Sequence, residues 1–343
     1  MSSRKQPGQR PTLEAVAQLA GVGRGTVSRV VNGAPGVSAR ARSAVETAIA
    51  ELKYVPNPAA RSLVTSRTDS IALVIPESES RLASEPYFSA VIRGVSTELA
   101  DTDMQLLLIL VRDQRERDRL IRFVEARRVD GVLLVAVHRD DPLPAFLETS
   151  GMPTVLAGRR APDEPLSHVQ SDNVGGAAQA VGHLLDRGRE VIATITGPLD
   201  MDVGRSRLRG WHDAHARKGA PAPDEALVAP GDFTEEGGRA AMRELLERRP
   251  GLDAVFAASD VMAAGALTVL RERGRRVPED VAVIGFDDSI VARHTVPPLT
   301  SVSQPTEELG RTITRLLLDE INEPTLTHRS LTLPTTLTHR STT

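Results

Sequence analysis

Two short runs of apolar residues at helical spacing lie close together near the start of the chain. Leu13, Val16, Ala17 and Ala20 form the first, and Val22, Val27, Val30 and Val31 the second. Gly21 falls where a three- to four-residue turn must reverse the chain, the layout of a helix-turn-helix. Thr12 reads as an N-cap, with Glu14 in the first turn. The second run carries Arg24, Thr26, Ser28 and Arg29 among its valines. One face of such a helix packs on its neighbour while the other offers donors to an anionic, hydrogen-bonding groove. A two-helix corner of an ordinary globular protein is the competing reading. Ser38 reads as the cap of a third helix over 39–52, whose apolar face is Ala41, Ala44, Val45, Ala48, Ile49 and Leu52.

In 54–68, Pro56 breaks the preceding helix, and Asn57-Pro58 reads as an N-cap followed by proline at the first helical position. The stretch Ala59 to Val64 is barely two turns long and so marginal alone in water. A hinge helix ordered only against a partner and a plain linker both fit it. From Ser70 onward the pattern alternates. Short apolar runs predict buried parallel strands at Ile71–Ile75, Gln105–Val111, Gly131–Val135, Thr154–Ala157, Val191–Ile195, Ala254–Ala257 and Val281–Gly285. Amphipathic stretches near 88–101, 115–128, 174–187, 205–218, 234–248 and 260–274 separate them. The expected fold is a small all-α helix-turn-helix head followed by two doubly wound α/β lobes, with a ligand cleft between them.

Composition adds a charge asymmetry. The net charge of the 343 residues is −3. Residues 1–66 hold nine basic and three acidic side chains, a charge of +6 that leaves −9 for the remainder. A basic head on an acidic body points to nucleic acid at one end. The chain has no cysteine, which excludes disulfides, a thiolate nucleophile and Cys-based zinc sites. The polar start MSSRKQPGQRP lacks the apolar stretch of a signal peptide, and no run of about 18 apolar residues suggests a membrane span. A cytoplasmic protein with no membrane partner is expected. Aromatic content of 3% limits a ligand site to few stacking platforms.

The chain resembles the lactose-repressor (LacI/GalR) family. The head carries TLEAVAQLAGV, TVSRVVNG, VSARAR, YVPN and AARSL. The body continues with RVDGVLL at 128–134, SDN at 171–173, RSRLRGW at 205–211, SD at 259–260, VAVIGFDD at 281–288, PPLTSV at 297–302 and LPTTL at 333–337. The resemblance implies a disordered basic arm (1–11), a DNA-binding head (12–56), a hinge helix and linker (57–68) and an effector-binding and dimerisation core (69–343). It further implies two lobes like those of periplasmic sugar-binding proteins. Lobe 1 spans about 69–170 and 304–330, and lobe 2 about 171–303 and 331–343, with crossings near 170, 303 and 330.

At the DNA end the resemblance places Arg24, Gly25 and Arg29 toward base edges. Thr26, Ser28 and Asn32 touch phosphates or position the helix, and Thr12 and Asn57 complete the set. Leu63 matches a leucine wedged into the minor groove, where kinking costs unstacking energy; a small hydrophobic anchor on the lobe is the alternative. Arginine is the commonest reader of guanine O6 and N7. Two departures stand out. Gly23 replaces a frequent serine and still serves as an N-cap at small cost. Gly25 removes one base-reading side chain and costs about 1 kcal/mol of helix stability.

At the ligand end the residues carried over are Phe88, Asp172, Asn173, Arg207, Phe233, Ser259, Asp260, Asp287 and Gln304. Carboxylates and an arginine around a cleft suit vicinal hydroxyls, and the two phenylalanines suit a sugar ring. Asp172 and Asp287 end strands and could instead cap following helices; Asp260 could cap the helix it precedes. Trp211 reads as core. Asp287-Asp288 lacks a third ligand at useful spacing, so neither a metal nor any other cofactor is expected. Val135 stands where the family is sometimes polar. Arg189, where the family commonly has histidine, reads as structural.

The expected function is a dimeric transcriptional regulator, a repressor, on a roughly palindromic double-stranded operator. A small metabolite, a sugar first of all, closes the cleft and weakens DNA binding. A purine, nucleoside or sugar-phosphate corepressor is the alternative, and a stand-alone sugar receptor is another. An enzyme is disfavoured by scattered acids and the lack of a Ser–His–Asp arrangement. The tail THRSTT carries no leucine heptads, which favours a dimer over a tetramer.

Overall fold

The protein, described here from a computed structural model, is defined at residues 11–31, 34–54, 67–217 and 224–343. The chain divides into two compact units, 1–68 and 69–343. Asn32, Asn57 and Leu63 lie outside the described residues.

Among the described residues of the first unit there are three helices: α1 (Leu13–Ala20), α2 (Arg24–Val31) and α3 (Ala39–Leu52). Thr12 Oγ1 accepts from the Ala15 N–H at 3.3 Å, so the expected cap forms. Gly21 ends α1 in the left-handed region, φ 65°, where glycine carries no Cβ penalty. The Gly23 carbonyl accepts from Thr26 N (2.9 Å) and Val27 N (3.2 Å), which starts α2. Ser38 Oγ accepts from Ala41 N at 3.3 Å and starts α3. Val16, Ala17, Val27, Val30, Val45, Ala48 and Tyr54 close the small core.

The second unit holds two six-stranded sheets. The first comprises β1 (Ser70–Ile75), β2 (Gln105–Leu110), β3 (Gly131–Val135), β4 (Thr154–Ala157), β5 (Ser167–Ser171) and β11 (Ser330–Leu333), in the order β11-β5-β4-β3-β1-β2. All its pairings are parallel. The second comprises β6 (Ile192–Thr196), β7 (Val228–Pro230), β8 (Ala254–Ala257), β9 (Ala282–Asp287), β10 (Thr300–Ser303) and β12 (Thr336–Thr338), in the order β12-β10-β9-β8-β6-β7. Only β12 runs antiparallel, against β10.

Helices α4 (Glu79–Ser84), α5 (Pro86–Leu99), α6 (Gln114–Glu125), α7 (Leu143–Thr149) and α13 (Thr306–Asn322) accompany the first sheet. Helices α8 (Asn173–Asp186), α9 (Asp202–Arg217), α10 (Glu235–Arg248), α11 (Asp260–Glu272) and α12 (Ile290–His294) accompany the second. Two apolar clusters flank the first sheet. One joins α5 and α13 to it, the other α6 and α7. Where α5 meets α13, a Cβ on Gly94 would collide with the Glu307 carbonyl, and one on Gly310 with the Val91 carbonyl. That crossing therefore requires small residues on both helices.

The seven apolar runs all form strands, three with the expected ends and four with ends shifted by one or two residues. β5, β7, β10, β11 and β12 were not signalled, because SHVQS, VAP, TSVS, SLTL and TLT are short or rich in Ser and Thr. Most of their buried polar groups are satisfied inside the fold: Ser301 and Thr300 are fully buried yet hydrogen-bonded. The chain passes between sheets after β5, after β10 and after β11. The third passage follows Leu333 rather than residue 330, since Ser330–Leu333 pairs with His168–Ser171 in the first sheet.

Candidate functional site

On α2 the two faces separate cleanly. Val27 and Val30 are buried, while Arg24, Gly25 and Arg29 are exposed and Thr26 and Ser28 are half-buried at the edges. At 100° per residue, 24, 25, 28 and 29 cluster on the arc opposite 27 and 30. This helix therefore offers two guanidiniums and a hydroxyl to a groove. Arg24 Nη1 lies 3.0 Å from Glu14 Oε1, with both side chains mostly in water. Such a pair is worth about 0–1 kcal/mol and yields readily to a phosphate or base. A Cβ on Gly25 would meet nothing within 4 Å, so no packing demand explains the glycine.

The second unit holds a cleft of about 750 Å³. It lies between the two sheets, around the carboxyl ends of their strands, where ligands settle in open α/β folds. Six residues singled out in the sequence line it: Phe88, Asn173, Arg207, Phe233, Asp287 and Gln304. Arg207 is its centre. Only 4% exposed, it donates from Nε to Asn173 Oδ1 (2.9 Å) and from Nη1 to the Ala258 carbonyl (2.5 Å). Asp287 Oδ1 stands 3.4 Å from Nη1, and the guanidinium lies 3.6 Å over the Phe286 ring. Gln304 Nε2 donates to Asp287 Oδ1 at 2.6 Å. Burial pushes Asp287 up to about 6 against the pull of Arg207.

The aim of Asp287 depends on backbone. Asp287 (φ 112°) and Asp288 (φ 52°) both sit at positive φ, where side chains are disfavoured by about 1–3 kcal/mol each. Asp260, expected at the ligand, holds this bend instead, and Ser259 is a helix cap. Asp260 accepts from Ser289 N (2.7 Å) and from Ser301 Oγ (2.5 Å), and Ser301 Oγ accepts from Asp288 N (3.0 Å). Ser259 caps α11, accepting from Met262 N at 3.2 Å. Both lie outside the cleft lining, as does Asp172, whose Oδ1 caps α8 through Gly175 N at 2.8 Å. In each case a carboxylate or hydroxyl beside a helix start accepts from backbone N–H groups. Burial, then the Asp287 charge, push Asp260 well above the usual carboxylate range.

Trp211 is core, donating from Nε1 to the Ile192 carbonyl. Arg189 braces loops through the Asp253 and Pro278 carbonyls.

The cleft also contains residues that the sequence reading missed: Arg81, Glu85, Tyr87, Arg159, Gln170, Ser171 and Asp202. Arg159 Nε donates to Asp202 Oδ2 across the cleft (3.2 Å). Ser171 Oγ is buried with no partner. Burial pushes Glu85 up to about 7, with Arg81 opposing and Asp287 adding to the rise. The i,i+4 spacing of Glu77, Arg81 and Glu85 was a readable signal, and Tyr87 is one of only two tyrosines.

A helix-turn-helix with an arginine-bearing outer face, followed by two lobes around a polar cleft, defines a ligand-responsive DNA-binding regulator. Residues 12–57 match the family described as bacterial regulatory proteins, lacI family, and residues 181–343 a periplasmic binding protein-like domain. The HTH-type transcriptional regulator CelR of Thermobifida fusca is 53% identical over 331 residues, which cover 96% of this chain and 97% of that protein. Among solved structures, a transcriptional regulator CelR–cellobiose complex matches with TM-score 0.78 and 50% identity, covering 97% of this chain and 100% of that one. The lac repressor dimer bound to operator and the anti-inducer ONPF matches with TM-score 0.84 and 28% identity, covering 97% and 99%. The chain belongs to the LacI family of bacterial regulatory proteins. It is a DNA-binding transcriptional regulator governed by a small-molecule effector, within a family of regulators rather than enzymes. No helix among the described residues is long and apolar enough to cross a membrane.

Proposed function

We propose that this regulator is a cytoplasmic homodimeric repressor whose effector is an uncharged sugar, of the β-linked disaccharide class to which cellobiose belongs. One observation carries the choice of ligand. The charges lining the cleft are already matched within the protein: Arg207 with Asp287, Arg81 with Glu85, Arg159 with Asp202. A phosphate would enter without a free cation to neutralise it, whereas hydroxyls both donate and accept and so fit paired groups of this kind. The partnerless Ser171 hydroxyl adds a further hydrogen-bonding group, and Tyr87, Phe88 and Phe233 give ring faces. The similarity to a regulator solved with cellobiose supports the same class.

In this reading Arg24 and Arg29 read bases, Thr26 and Ser28 contact the backbone, and Thr12, Asn32, Asn57 and Leu63 complete the DNA contacts. Two copies meet a two-fold operator as the solved lac repressor dimer does. Phe88, Asn173, Arg207, Phe233, Asp287 and Gln304 hold the sugar. Binding of the sugar there weakens operator binding by a coupling of about 1–3 kcal/mol.

The test is calorimetric titration of the full chain with cellobiose, glucose, ribose, a sugar phosphate and a purine, with a gel-shift titration of the operator in parallel. Cellobiose should bind and release DNA. Exclusive binding of the phosphate or purine, or a ligand that tightens the DNA complex, overturns the reading.

A further inference from the structure

The rim of the cleft carries a continuous run of alternating charges that the effector site does not by itself require. It starts on the second lobe at Asp200, in the loop after β6. Asp200 Oδ2 lies 2.6 Å from His138 Nδ1, on the loop after β3 of the first lobe. The other ring nitrogen, Nε2, lies 3.3 Å from Glu77 Oε1, just after β1. The same Glu77 oxygen binds the Arg81 guanidinium of α4. Arg81 Nε then donates to Glu85 Oε2 at 3.2 Å, and Glu85 lines the cleft.

Besides His138–Asp200, two further contacts cross between the lobes along this run. The Arg81 guanidinium lies 5.3 Å from the centroid of the Phe233 ring on the second lobe, and the Arg139 N–H donates to the Asp200 carbonyl at 2.9 Å. Glu77, Arg81 and Glu85 are nearly buried, with side-chain exposures of 10–11%. Buried charges of this kind persist only when each has its partners.

We propose that Arg81 is a specificity- and closure-determining residue of the effector site, and that His138 positions it by gripping Glu77 from behind while holding Asp200 across the cleft. Arg81 forms part of the wall facing the ligand and stacks on Phe233 only when the lobes are together. His138 does not line the cleft; it acts through Glu77 and through the lobe contact. Both of its ring nitrogens face carboxylates, so the clasp requires the imidazolium, which donates twice.

The surroundings agree with this. The charged groups facing the ring are Glu77 and Asp200, with Arg81 behind Glu77, and Arg139 follows on the same loop. The Glu77 hydrogen bond first, and then Asp200, push His138 up to about 9 against the effect of burial. Parting the lobes removes Asp200 and lowers that value. Closure therefore favours the protonated ring, and the clasp is lost as pH rises through about 9. Glu85 is already ionised by then, so its titration does not obscure the effect.

The experiment exploits the absence of native cysteine. Spin labels at Glu125→Cys on α6 and Arg209→Cys on α9, both exposed, report the distance between lobes in the full chain without any effector. At about pH 7.5 the unmodified site should give one narrow distribution, and at about pH 10 a broader, longer one. H138Q and R81M should be broad at both. Identical distributions in H138Q and the parent at neutral pH, or the same pH response in both, overturn the role of His138. A narrow, unshifted distribution in R81M overturns that of Arg81.

This inference rests on the sugar reading only for its second measurement, calorimetry with cellobiose. There R81M should weaken binding about tenfold and R81K should recover part of it. If the parent itself fails to bind cellobiose, the sugar assignment falls while the distance measurement still decides the clasp. If the parent binds and R81M binds equally well, Arg81 is not a determinant of specificity.

Discussion

Asp260 and Ser301 share a buried hydrogen bond of 2.5 Å outside the cleft lining. Through it one buried carboxylate holds two consecutive positive-φ residues, Asp287 and Asp288, and thereby the direction in which Asp287 points. A Cβ on Gly285 would collide with the same carboxylate, so strand β9 supplies a glycine where the approach is closest. The strain of the bend persists because the surrounding bonds over-determine it.

Replacing Asp260 tests this arrangement. D260A leaves the Ser289 N–H and the Ser301 O–H as buried donors without an acceptor and should lower stability by about 2 kcal/mol. It should also weaken effector binding, although Asp260 does not line the cleft. D260N, which can still accept from Ser289 and donate to Ser301, should retain most of both. Urea unfolding and calorimetric titration on the two variants check it. Normal effector affinity in a folded D260A would show that the bend holds itself.

Arg207→Lys keeps the charge but loses the fork that reaches Asn173 and the Ala258 carbonyl, and the stacking on Phe286. Effector affinity should fall at least tenfold, about 1.4 kcal/mol. Operator binding without effector should be unchanged, so a gel shift should show a repressor that no longer releases DNA.

Gly25→Ala should stabilise the head by up to about 1 kcal/mol, because the site is an exposed position in the first turn of α2 with open space around it. Hydrogen exchange of α1–α3 peptides in the full chain should slow. Selection from a random library should return the parental operator consensus, since the methyl group reads no polar base edge.

Arg24→Ala should relax base preference at a fixed position in each half-site, by about 1–3 kcal/mol of lost discrimination. The salt dependence of DNA binding should change little if Arg24 contacts bases rather than phosphates. A selection experiment returning an unchanged consensus would count against the assignment.

Glu85 sets a pH dependence of stability. Its carboxyl is pushed up to about 7 by burial, so near pH 6 the folded chain holds a proton that the unfolded chain has released. Raising pH from the ordinary carboxylate range through about 7 therefore reduces stability, and Asp287, up to about 6, adds the same sign. E85Q removes one of these two contributions. Its urea midpoint should fall less than the parent's between about pH 5 and about pH 8.

By itself the sequence determined much about this protein. Helical periodicity and caps at Thr12 and Ser38 specified the three-helix head, because those signals are local and satisfied within one turn. The apolar runs located the buried central strands for a similar reason: a strand covered on both faces must be apolar throughout. What tertiary structure decided lies where polarity is satisfied at long range. The Ser- and Thr-rich strands β5 and β10 are buried in ladders that no local pattern announces: β5 pairs with β11, more than a hundred residues further on, and β10 with β12 of the same sheet. The division between ligand and scaffold was equally hidden. Asp172 and Asp260 carry the same carboxylate as Asp287, but neighbouring backbone N–H groups engage the first two, and a strained bend aims the third into the cleft. Arg81 meets Phe233, and His138 meets Asp200, only when two lobes from separate parts of the chain come together. No periodicity encodes that meeting, because it depends on which loops the three crossings bring face to face.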